Sequence, residues 1–125
     1  MIYSVKGGIR LIIASDLIRG NTDTIILASL MMKDSYGYEI NKNISTKTDG
    51  KYAFKEATLY TAFKRLEEAG FITSYWGEQN VTARRRYYSI TQRGKEEYLK
   101  LLNDWKNAKN MIEKLIDTGV MENGQ

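Results

Sequence analysis

The chain has 125 residues, of which 42% are hydrophobic and 11% aromatic, enough for one domain with a real core. It contains no cysteine and no histidine, which excludes disulfides and thiolate metal sites and removes the commonest general base and metal ligand. The net charge of +4 is uneven: residues 1–94 carry 14 Lys+Arg against 9 Asp+Glu, and residues 95–125 carry 5 against 6, so a polyanionic partner is expected for the first three quarters.

Residues 1–14, MIYSVKGGIRLIIA, join no clear periodicity and read as an N-terminal extension. The run LIIA at Leu11–Ala14 is too short for a signal-peptide core or a membrane span, so a cytoplasmic protein without a membrane partner is expected. A helix is expected from the cap cluster Asn21–Asp23 to about Lys33, with extension back through residues 16–19 left open by Gly20. Ile25, Ile26, Leu27, Leu30 and Met31 surround most of this helix and predict that it is largely buried. Ser35 is expected to cap a second helix, from Tyr36 to about Ile44, with Tyr36, Ile40 and Ile44 on one side. The polar stretch STKTDGKY (Ser45–Tyr52) contains Asp-Gly and reads as a loop.

The stretch KEATLYTAFKRLEEAGFI (Lys55–Ile72) predicts a third helix that stops at Gly70. At 100° per residue, Leu59, Phe63 and Leu66 cluster on one side. Ala57, Thr61 and Lys64 fall opposite, flanked by Thr58, Tyr60 and Arg65. That outward face is small and uncharged at its start and basic one turn later, which suits close entry into a DNA major groove. A merely solvated face would explain the same residues taken alone. Two runs of strand-formers follow, FITSYW (Phe71–Trp76) and RRRYYSIT (Arg84–Thr91), around the polar tip GEQNVTA. Strand alternation sends two of Arg84, Arg85 and Arg86 to one face and one to the other. Such a triplet is too costly to bury in a small domain, and phosphate suits the guanidinium fork best.

Thr91 is expected to cap a last helix running to about Asp117, with a frayed tail over residues 119–125. Three helices, a hairpin and a long helix are the parts of a mainly α winged helix-turn-helix followed by a dimerisation helix. The expected division is 15–91 for DNA binding and 92–118 for dimerisation. In the last helix Tyr98, Leu101, Trp105, Ala108, Ile112 and Leu115 step as a heptad seam, widened by Leu102, Met111 and Ile116. Packing on its own domain is the plainer reading, but a stripe this long and apolar favours a second copy of the chain.

YGYEI (Tyr36–Ile40), ATLYTAFKRLEEAGFITSYW (Ala57–Trp76) and RRRYYSIT (Arg84–Thr91) together resemble the PadR family of bacterial transcriptional regulators. The similarity covers roughly residues 16–117 and is nearest in form to the short members with a single C-terminal helix, the group of the lactococcal multidrug-sensing repressor. The resemblance implies a winged-helix homodimer on a palindromic operator, usually a repressor released by a small molecule. The expected DNA contacts are Tyr38, Ala57, Thr58, Tyr60, Thr61, Lys64, Arg65, Arg84, Arg85 and Arg86. The resemblance also places Trp105 where that relative has a stacking tryptophan, in a slot for a planar aromatic effector lined by Leu17, Gly20, Asp23 and Thr24. Lys109 stands where that relative carries an acid, which puts a cationic ligand in doubt and makes a neutral or anionic one as suitable.

No cofactor or metal is expected. The carboxylate pairs Glu67/Glu68 and Glu96/Glu97 are adjacent on helices and diverge by about 100°, so they form no catalytic pair. A winged helix used only for protein interaction is the alternative function, and the arginine triplet argues against it.

Overall fold

A computed structural model of the chain describes residues 14–77 and 84–120. The elements are α1 (Thr22–Met32), α2 (Gly37–Lys47), α3 (Glu56–Glu68), β1 (Ile72–Trp76), β2 (Arg86–Ile90) and α4 (Gln92–Ile116). Residues 14–19 are also helical and meet α1 at a turn over residues 20–21. Both the hairpin tip beyond Gly77 and most of the N-terminal extension lie outside the described residues, as do residues 121–125 of the tail.

One core joins the elements. Ile26, Leu27 and Leu30 of α1 meet Ile40 and Ile44 of α2, Leu59, Ala62, Phe63 and Leu66 of α3, and Ile72 and Tyr88 of the hairpin. Phe63 stacks on Tyr88 with ring centroids 4.0 Å apart, so α3 and the hairpin are held as one unit. Met31, expected inside, is 39% exposed, because the core lies on the side of Ile26, Leu27 and Leu30 and leaves Met31 and Met32 at the surface.

The helix ends follow local chemistry. α3 stops at Ala69, and Gly70 takes φ +81°. The Phe71 amide then donates to Leu66 O and the Gly70 amide to Glu67 O, both at 3.0 Å, the paired bonds of a Schellman stop. Thr91 caps α4: its Oγ1 accepts from the Gly94 amide at 3.0 Å and donates to Gly70 O at 2.7 Å. Gly94 admits no side chain, since a Cβ there would lie 2.0 Å from Phe71 O.

Two expectations about α2 are corrected. Ser35 does not cap it, for Tyr36 occupies the N-cap position. The Ser35 backbone exchanges hydrogen bonds with Tyr88 at 3.2 and 2.8 Å, a single bridge on the hairpin's edge that leaves its side chain for Glu39. The helix also runs to Lys47, absorbing the first residues of the supposed loop. The chain turns at Asp49 and Gly50, both with positive φ, which Asp tolerates and Gly adopts freely.

Between α2 and α3 the Asn41 side chain brackets one residue. Its Nδ2 donates to Phe54 O at 2.8 Å, and its Oδ1 accepts from the Phe54 amide at 2.9 Å. This fixes the extended segment from which α3 starts.

Candidate nucleic-acid interface

The outward face of α3 is set by its buried side. With Leu59, Ala62, Phe63 and Leu66 in the core, Ala57, Tyr60, Thr61 and Lys64 are exposed, and Thr58 is half-buried. The Tyr60 ring leans edge-on against Phe63 at 5.7 Å, and its hydroxyl lies against the first turn of α2, where a Cβ on Gly37 would approach it to 3.2 Å. Tyr38, on the same turn of α2, is 70% exposed. Tyr38 and Tyr60 thus share with Gly37, Asn41, Glu56 and Leu59 a small hollow of about 200 Å³ at the junction of the two helices.

Arg65 departs from this group. Its guanidinium is paired with the Asp23 carboxylate of α1, on the flank of α3 that faces the first helix.

The hairpin supplies the other basic element. β1 and β2 pair antiparallel, with Ser74 opposite Tyr88 and Trp76 opposite Arg86. The arginine triplet divides as alternation requires. Arg84 and Arg86 lie over the Trp76 ring, 5.0 and 5.7 Å from its centroid, while Arg85 lies 4.9 Å over Tyr36 on the other side. Arg86 Nη2 also donates to Ser74 Oγ at 2.8 Å and pairs with Glu67 of α3 at 3.7 Å. All three arginines are exposed.

Behind the triplet, Tyr87 meets Tyr36 edge-on at 5.2 Å and stacks on Tyr75 at 5.6 Å. The Tyr75 hydroxyl donates to Asp34 at 2.7 Å, and this bond raises the phenol pKa. Burial raises that of Tyr88. Near the α2 N-terminus, Ser35 and then Lys33 hold the Glu39 carboxyl below its usual range.

A recognition-type helix, an arginine-bearing hairpin and a helix pair bracketed at its turn are the working parts of a DNA-reading domain. Residues 26–100 match the model of the transcriptional regulator PadR-like family. The chain belongs to that family.

Known transcriptional regulators extend the match. A transcriptional regulator from Clostridium thermocellum is 52% identical with a TM-score of 0.75, over 82% of this chain and 96% of that one. A PadR family transcription regulator from Clostridium difficile R20291 is 32% identical with a TM-score of 0.66, over 77% of this chain and 98% of that one. The negative transcriptional regulator PadR of Bacillus subtilis is 29% identical over 80 residues, 64% of this chain but 42% of that longer protein. All three similar proteins are transcriptional regulators. Among the described residues of this PadR-like chain no helix is long and apolar enough to cross a membrane.

The PadR-like chain has two further hollows on the first helix. Leu17, Ile18, Asn21, Thr24, Ile25 and Trp105 line an apolar cleft of about 270 Å³. Leu17, Thr24 and Trp105 therefore come together as the resemblance implied. Gly20 and Asp23 do not join them, and instead line a groove of about 550 Å³ between α1 and α3, with Arg19, Thr58, Thr61 and Arg65. Lys109, one turn beyond Trp105, lines neither. Ile18, Asn21 and Ile25 are not among the expected lining residues, although Asn21 lies four residues from Leu17 on one helical face and Ile18 and Ile25 adjoin Leu17 and Thr24.

The expected seam of α4 splits in two. Tyr98 and Leu101 are half-buried against the core, and Leu102 and Ala108 are half-buried too. Trp105 is 40% exposed, and Ile112 and Leu115 are more exposed still. Within one chain the second half of α4 leaves its apolar stripe in water.

Proposed function

We propose that the protein is a sequence-specific DNA-binding transcriptional repressor, acting in the cytoplasm as a homodimer on a palindromic operator and released by a small planar molecule. The observation that carries this reading is the pairing of an exposed, small-then-basic α3 face with three exposed arginines on a hairpin locked to the same helix through Phe63–Tyr88 and Glu67–Arg86. Small residues at the start of α3 let the helix approach base edges, and the arginines supply charge for phosphates on either side.

The dimer reading is supported by the apolar stripe from Trp105 to Leu115, too long to leave wet. Residues 15–91 then read DNA and 92–118 join the protomers, setting the spacing of two half-sites about one helical turn apart. A single small domain reaches few phosphates, and a pair multiplies them. The apolar cleft beside Trp105 supports the effector, and with it the kinship to the multidrug-sensing branch of the family.

The test is a gel shift with the region upstream of the protein's own operon across a salt series. The wild type should retard it, and Thr61→Ala should change the preference among operator variants. Replacing Arg84, Arg85 and Arg86 together by alanine should flatten the salt dependence, by about 0.9 in log–log slope for each phosphate no longer neutralised. An unchanged slope in the triple variant would sink the wing assignment, and no retarded complex at low salt would sink DNA binding.

A further inference from the structure

Trp76 is 52% exposed on the outer end of β1, an unusual position for so large an apolar ring in a domain whose core already closes at Ile72 and Tyr88. Its surroundings explain it. In the antiparallel register Ile72, Ser74 and Trp76 share one face with Ile90, Tyr88 and Arg86. That face begins in the core against α3, passes through the Ser74–Glu67 hydrogen bond at 2.6 Å, and ends at Trp76. The guanidinium carbons of Arg84 and Arg86 lie over the ring there, at 5.0 and 5.7 Å.

We propose that Trp76 is a positioning residue for DNA binding: its ring is the platform that holds Arg84 and Arg86 as a two-pronged phosphate clamp beside α3. The inference rests on the DNA-binding reading above. A guanidinium attracted to an aromatic face keeps its N–H donors in its own plane and hence at its rim, so resting on the ring does not use the edge that phosphate needs. Both side chains are long and rotamer-rich, and an exposed arginine without a platform loses that freedom only when it meets DNA. The platform orders them beforehand. Arg86 is fixed further by Ser74 and Glu67 through Nη2, which ties the clamp to the recognition helix. Arg85, over Tyr36 on the opposite face, lies outside the clamp.

The test uses the full-length protein and a generic duplex of about 30 base pairs at about 50 mM salt, because the phosphate contribution is independent of sequence. Trp76→Ala should weaken binding on the order of fivefold with an unchanged salt slope, since it removes no charge, and Trp76→Phe should restore most of the affinity. In a protein already carrying Arg84→Ala and Arg86→Ala, Trp76→Ala should have no further effect. Combined with Arg85→Ala, it should act in full. Thermal unfolding of each variant identifies any that fail to fold, and Trp76→Phe, which keeps an aromatic platform, carries the test if Trp76→Ala is one of them. Wild-type affinity in Trp76→Ala overturns the platform. So does a weakening that persists without Arg84 and Arg86, or, where Trp76→Ala does not fold, a Trp76→Phe protein as weak as the double arginine variant. A wild-type protein that binds no duplex at all overturns the DNA-binding reading as well.

Discussion

Asp23 of α1 and Arg65 of α3 form an ion pair across the groove between these two helices. The pair is partly exposed, with Asp23 at 35% and Arg65 at 54%, so it contributes no more than about 1 kcal/mol to stability. Its larger consequence is for binding. Both Nε and Nη2 of Arg65 are turned to Asp23. A guanidinium held by a carboxylate through two donors is a poor phosphate ligand until that partner is removed, unlike that of Arg86, which meets Glu67 through Nη2 alone at 3.7 Å.

The first prediction follows from that competition. Arg65→Ala alone should leave the salt dependence of DNA binding unchanged. Asp23→Asn should steepen it by about 0.9 per phosphate that the released Arg65 reaches, and adding Arg65→Ala should return it to the wild-type value. A shallower slope in Arg65→Ala alone would mean that Arg65 leaves Asp23 for DNA.

A second prediction concerns acid. Ser35 Oγ donates to Glu39 Oε1 at 2.5 Å, and Lys33 Nζ lies 3.3 Å from Oε2. The hydrogen bond from Ser35, helped by Lys33, lowers the Glu39 pKa from 4.5. A folded-state pKa below the unfolded one stabilises the protein above the unfolded value, and the contribution disappears as pH falls through the folded value. Ser35→Ala should therefore lower the melting temperature at neutral pH, and the gap to wild type should narrow below pH 4.5. Thermal scans across that range decide it, and a gap that does not change with pH would leave Ser35 acting through its backbone bridge alone.

The third prediction is the oligomeric state. Ile112→Asp or Ala108→Glu would set like charges across a helix seam, at a cost of several kcal/mol if they stay unpaired. Sedimentation should show the wild type as a dimer and either variant as a monomer, with weakened operator binding. A fully dimeric Ile112→Asp protein would place the interface elsewhere.

What the sequence made legible is what depends on near neighbours. Gly70 marks the end of α3 because only a residue at ease with positive φ closes a Schellman stop. Thr91 marks the start of α4 through a bond to an amide three residues on. The alternation of Arg84, Arg85 and Arg86 is simple strand geometry. What stayed hidden depends on partners far along the chain. Ser35 has the right side chain for a cap, but its peptide is taken by Tyr88, and that pairing has no local sign. Arg65 and Asp23 are 42 positions apart, and each reads singly as a solvated charge. The Trp105 cleft was half visible, because helical spacing identifies which residues share a face but not which neighbouring helix covers it.

The last prediction is the chemistry of that cleft. Trp105 shares it with Leu17, Ile18 and Ile25 and the uncharged polar Asn21 and Thr24, so no formal charge lines it. The Asn21 amide is already engaged, donating to Leu17 O at 2.9 Å. Of the acids that adjoin lining residues in sequence, Asp23 is paired with Arg65 and Asp16 with Arg19, Asp104 is not among the lining residues, and Lys109 is positive. No carboxylate there recognises a cation, and the half-exposed indole face, which adds only a modest attraction for positive charge, offers stacking to any flat ring. In a Trp76→Phe background, which leaves Trp105 as the sole tryptophan, a neutral planar dye should quench fluorescence saturably at micromolar concentration. A cationic dye of the same ring system should gain no more than about fivefold from the indole face, and salt should affect neither. Saturation by the neutral dye should lower operator affinity, and Trp105→Phe, which retains a smaller ring, should weaken dye binding while leaving DNA binding in its absence intact. A cationic dye that binds far more tightly, with an affinity that falls as salt rises, would show that an acid faces the cleft and that the neutral-ligand assignment is wrong.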